Sequence, residues 1–73
     1  MDDEPKERSG IESFLRDRGF DVSAVGSVAE AIGILTRDRF DVFLTDCNIP
    51  GVDALQTSGE ARKINPDLAV IIM

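Results

Sequence analysis

Helical and extended periodicities alternate along all 73 residues, and that alternation restricts the fold more than any other property of the chain. Behind Pro5, a residue suited to a first helical position, Ile11, Phe14 and Leu15 recur at helical spacing, and Gly19 is a good stop. "FDVSAV" (20–25) then alternates as a short strand. Ser27 and Glu30 make the S-x-x-E capping box of a second helix, whose apolar stripe is Val28, Ala31, Ile32 and Leu35. Phe40 to Thr45 reads as the next strand and Cys47 to Asp53 as the loop after it. A third helix is predicted over Ala54 to Ile64, weakened by Thr57, Ser58 and Gly59; Gly59 alone costs about 1 kcal/mol against Ala. Asn65-Pro66-Asp67 breaks that helix, and Leu68 to Met73 is a final apolar strand. Three helices alternating with three strands imply right-handed crossovers, hence an α/β doubly wound parallel sheet covered on both faces.

In such sheets, functional groups collect beyond the carboxyl ends of the strands. Asp46 falls there: a buried apolar run ends on a carboxylate, and a Pro-Gly turn follows almost at once. On geometry alone two readings stand, a carboxylate capping its loop and a ligand-binding group. Asp2, Asp3 and Glu4 precede Pro5, where acidic residues meet the N-terminal dipole of a helix. Asp53 is placed to cap the third helix. Cys47 has no neighbouring His or Lys in sequence to activate it and reads as a small loop residue; the Met, Phe and Ile stripes read as core.

What the chain lacks narrows the chemistry. It has no histidine, so Ser-His-Asp and Cys-His pairs and His-ligated metals are out. Neither the G-x-G-x-x-G nor the G-x-x-x-x-G-K-[ST] phosphate cradle occurs. A net charge of −6 repels phosphate backbones, which argues against direct nucleic-acid binding. "LAVIIM", the longest apolar run, is too short to span a bilayer, so no membrane association is expected. One cysteine and no signal-like run fit a reducing, cytoplasmic setting. Carboxylates remain. If a strand precedes the first helix, "MDDE" marks its C-terminal end, beside the end that carries Asp46. Three clustered carboxylates repel one another unless a hard cation is present, and an all-oxygen, partly hydrated site suits Mg²⁺.

"MDDEP" before a helix, "DVFLTDCNIPGVDAL" and "INPDLAVIIM" together resemble the receiver domain of bacterial two-component response regulators. The resemblance covers the whole chain, and its last phrase is similar to receivers of enhancer-binding transcription activators. It implies a flavodoxin-like receiver fold with strand order 2-1-3-4-5, of which residues 1–73 form a partial domain. Most of strand 1 and everything after strand 4 are missing from that partial domain, which leaves a gap at the centre of the sheet. It further implies that Asp46 is the phosphoacceptor and that Asp2 and Asp3 hold Mg²⁺, Asp3 directly and Asp2 more through water. Asn48 supplies a backbone carbonyl to the ion, and Pro50 and Gly51 shape the loop that presents it. Implied partners are a sensor histidine kinase or phosphotransfer protein and an output domain outside the chain. The role is acceptance of a phosphoryl group in a phosphorelay, with no enzymatic turnover.

Two positions depart from the family pattern: Ala54 stands for the glycine usual after the loop aspartate, and Thr57-Ser58-Gly59 weakens the third helix. The switch Thr or Ser and the lysine of the family lie outside the chain, and neither Lys6 nor Lys63 takes that lysine's place. Two rivals remain. One is a degenerate or truncated receiver that binds a partner without phosphorylation. The other is an aspartate-nucleophile phosphatase of the haloacid dehalogenase type, which would want an acid where Asn48 stands.

Overall fold

The computed structural model describes residues 1–73. Its elements are α1 (Pro5–Asp17), α2 (Val28–Arg37), β1 (Val42–Thr45), α3 (Ala54–Ile64) and β2 (Ala69–Ile72). Each helix begins where a side-chain oxygen can take up a free N–H of the first turn. Glu4 caps α1 by accepting from the Glu7 amide, and Ser27 caps α2 by accepting from Glu30. Asp53 caps α3 by accepting from both Leu55 and Gln56.

β1 and β2 pair in parallel, Val42 opposite Ala69 through Thr45 opposite Ile72, with α3 as the crossover between them. This is the parallel arrangement expected of the receiver-like sheet. Residues 20–25, expected as a strand, form no ladder: β1 and β2 are the only strands. The reason is the partner. A strand exists through its neighbour, and beyond the α1 turn that bonds Phe20 N–H to Leu15 O, the segment has one backbone bond to another part of the chain, from Asp2 N–H to Val25 O at 3.1 Å.

Met1 itself joins β1. Its amine donates to Leu44 O and its carbonyl accepts from Asp46 N–H at 3.0 Å, the alternation of a parallel pair centred on Thr45. Met1 and Asp2 thus sit between Val25 and the end of β1, where the resemblance puts strand one. Alongside them runs an apolar groove of about 400 Å³ whose walls include Val22, Val25, Leu35, Phe40, Phe43 and Leu44.

The core consists of Val25, Ala31, Leu35, Phe43, Ala61 and Leu68. Ala31 and Ala61 are small and fully buried, which suits the close approach of α2 and α3. Thr57 also turns inward, and its hydroxyl donates back to Asp53 O at 3.0 Å, so a polar residue at a core-facing position is satisfied within its own helix. α1 differs from the expected core stripe. None of its residues is fully buried; Ile11 and Leu15 are half-buried against the groove, and Phe14 is 53% exposed with the Arg18 guanidinium over its ring. Phe20 is likewise exposed.

Candidate functional site

The site begins with two backbone segments locked side by side. The Asp46 amide donates to Met1 O and the Cys47 amide to Met73 O, each at 3.0 Å, so the exit of β1 is clamped between the chain's first residue and the end of β2. Asp2 follows Met1 directly and is buried, only 4% exposed. Its amide holds Val25, and its carbonyl accepts from Arg8 Nη1 at 3.0 Å. Backbone pairing therefore delivers both acids to the same edge of the sheet.

Their side chains are then fixed in one manner. Asp2 Oδ1 accepts from the Glu4 amide at 3.0 Å, and Asp46 Oδ1 accepts from the Asn48 amide at 2.9 Å. In each case the carboxylate bonds the N–H two residues on, an Asx turn that ties one oxygen. The loop beyond Asp46 reverses at Ile49 to Val52, where the Val52 amide donates to Ile49 O at 3.1 Å. Pro50 occupies the second position of that turn, and Gly51, with φ of 75°, occupies the third, which a side chain would disfavour. Ala54, by contrast, starts α3 without any left-handed backbone, so the family's glycine is not required there.

The third carboxylate is Glu7. One oxygen each from Asp2, Glu7 and Asp46 lies within 4.8 Å of the others. Glu7 sits in the first turn of α1 and is exposed. The charge of Asp2, and then a hydrogen bond to it, raise the Glu7 pKa above its ordinary value, with smaller contributions from slight burial and from Asp46 and Glu4. The Met1 amine moves the other way: burial lowers its pKa, against the opposing pull of Asp2.

Of the residues singled out in the sequence, Asp2 and Asp46 are brought together. Asp3 is exposed and stands outside this carboxylate group, and Asn48 is exposed, its amide on Asp46. Cys47 is exposed. Asp53 is spent on the α3 cap, as expected. Glu7 was not foreseen, although a signal existed. It is the third residue after the Glu4 cap, and helical side chains lean toward the N-terminus, here toward Asp2.

Free carboxylate oxygens at the carboxyl edge of a parallel sheet are the donors a hard divalent cation takes. The profile of the response regulator receiver domain matches residues 1–73, the whole chain. The chain belongs to the response regulator receiver family. This receiver is therefore a component of two-component phosphorelay signalling. It is 30% identical over 73 residues to the C4-dicarboxylate transport transcriptional regulatory protein DctD of Rhizobium meliloti, covering 16% of that protein. The response regulator protein FleR of Pseudomonas aeruginosa is 32% identical over 73 residues, 15% of its length. The transcriptional regulatory protein GlrR of Escherichia coli K12 is 29% identical over the same span, 16% of its length. The receiver spans about a sixth of these relatives. No helix is long and apolar enough to cross a membrane.

Proposed function

We propose that Asp46 accepts a phosphoryl group from the phosphohistidine of a sensor kinase or phosphotransfer protein, and that Mg²⁺ assists the transfer. The observation that carries this reading is the pairing of Asp2 with Asp46 at the carboxyl edge of the sheet, built by the Met1 ladder. An Asp46 oxygen would form the new P–O bond as the P–N bond to histidine breaks in line, leaving an aspartyl phosphate and a neutral imidazole after proton uptake. This chain's part is to position Asp46: the amide of Asn48 fixes one oxygen and so directs the other. Asp2 and Asp46, with Asp3 and the Asn48 carbonyl as the family resemblance implies, would hold the ion. When bound, the ion neutralises charge between the carboxylates and the incoming phosphoryl oxygens.

The chain is on this reading a phosphoacceptor and not a turnover enzyme. Its named relatives include transcriptional regulators, so the output we propose for the full-length protein is control of transcription by a linked domain. Incubation with a small acyl phosphate and Mg²⁺ tests the assignment. Wild-type protein should take up label and Asp46→Asn should not; equal labelling of the two would refute it.

A further inference from the structure

We infer that Arg8 is a positioning residue for phosphoryl acceptance: from α1 it holds the backbone of Asp2 so that the Asp2 carboxylate stays beside Asp46. The inference rests on the reading of the site given above and extends it to a side chain outside the carboxylate group. Its first support is the way Asp2 is fixed. The Asp2 amide bonds Val25 O, in a segment that has no ladder of its own. The Asp2 carbonyl has one partner, Arg8 Nη1 at 3.0 Å. Arg8 is itself anchored, because its amide donates to Glu4 O at 3.0 Å at the start of α1. The guanidinium therefore ties a buried acid at the sheet edge to the first full turn of a helix.

The second support is the glycine beneath the guanidinium. Left-handed backbone occurs at Gly19 and Gly51 and not at Gly26, so no turn requires a glycine there. A β-carbon at position 26 would collide with the Arg8 guanidinium, and the next nearest atom is Asp2 O at an ordinary contact distance of 3.7 Å. The space left by the missing side chain is the space Arg8 crosses. α1 carries a second strap of the same kind, which allows positioning to be separated from stability. Arg16 Nη2 donates to Val22 O at 2.8 Å from the last turn of the helix, at the other end from Asp2.

The test compares wild type, Gly26→Ala, Arg8→Ala, the double variant and Arg16→Ala, each checked for folding by circular dichroism. Two quantities are read: the initial rate of label uptake from a small acyl phosphate with Mg²⁺, and the affinity for Mn²⁺ by electron paramagnetic resonance. Gly26→Ala keeps every charge and displaces the guanidinium, so both quantities should fall about fivefold, the factor one ordinary hydrogen bond is worth. Arg8→Ala should also weaken Mn²⁺ binding, although loss of a positive charge beside Asp2 would by itself tighten it. Adding Gly26→Ala to Arg8→Ala should change neither quantity further, because no guanidinium is left to displace. Arg16→Ala removes an equivalent strap far from the acids and should stay within about twofold of wild type. Gly26→Ala matching wild type, or acting equally with and without Arg8, would overturn the role of Arg8, as would equal losses in Arg8→Ala and Arg16→Ala. Should Gly26→Ala not fold, the comparison of Arg8→Ala with Arg16→Ala decides alone. If wild type takes up no label, the site reading itself fails and this inference with it.

Discussion

Arg8 lies directly over Gly26: a β-carbon at position 26 would stand 2.4 Å from the Arg8 Nη1. The missing side chain lets the guanidinium pass from α1 to the carbonyl of Asp2, which it reaches at 3.0 Å. Gly26→Ala should push the flexible end of Arg8 aside and remove that bond, at a cost of about 1 kcal/mol. Arg8→Ala should cost a similar amount, and the double variant should cost less than the sum, because both remove the same interaction. Denaturant unfolding of the four proteins checks this.

Asp53 serves the α3 cap and not the carboxylate group. Its carboxylate accepts from Leu55 at 3.0 Å and Gln56 at 3.2 Å and takes no part in the carboxylate group. Asp53→Ala should lower stability by about 0.5–2 kcal/mol while leaving Mn²⁺ affinity near that of wild type. Thermal unfolding and the metal titration, run on one sample, would show both.

Packing between α2, α3 and the sheet depends on residue size. Leu68 is 1% exposed, and Leu68→Ala should cost about 2–5 kcal/mol through lost burial and the cavity left behind. Ala61 is 0% exposed, so Ala61→Leu should also destabilise, by about 1–3 kcal/mol, because α2 and α3 would have to separate. In a core of six residues either loss should broaden or abolish the thermal transition.

The raised Glu7 pKa gives the metal-free protein a pH dependence with a definite sign. Because the folded state binds this proton more tightly than the unfolded chain, Glu7 adds stability at acidic pH. That contribution is lost as pH rises from its ordinary 4.5 through the raised folded value. Glu7→Gln should flatten that segment of the profile, and Mg²⁺ should flatten it in the wild type by compensating the charge. Melting temperatures measured across this range with a chelator, and again with Mg²⁺, provide the check.

Local chemistry was legible in the sequence, and non-local pairing was not. Ser27 and Asp53 were readable as caps because a cap needs only its own next few residues. Asp46 was readable because an apolar run ending on an acid before Pro-Gly is itself a local pattern. "FDVSAV" has the right alternation for a strand, yet a ladder depends on backbone supplied from elsewhere in the chain, and only Asp2 reaches it. Glu7 stayed hidden for a related reason. Its spacing places it on α1, but its approach to Asp46 requires knowing how that helix is set against β1. Phe14 and Phe20 read as core by type and are exposed: Phe20 lies on the wall of an open groove, and Phe14 lies under the Arg18 guanidinium.

Asp2 belongs to the sheet through its backbone and to the carboxylate group through its side chain. Its amide holds Val25, and the residue before it holds the end of β1, so the two sides of the molecule meet at the same turn that carries the acid. Occupancy and cohesion are therefore reciprocal. A cation that binds only the assembled carboxylates raises the unfolding midpoint with the logarithm of its concentration once above its dissociation constant. Conversely, a substitution that loosens Val25 or Leu44 weakens cation binding without altering a single ligand. On the proposed reading, cation binding and the cohesion of the sheet edge are one equilibrium, observed from two ends.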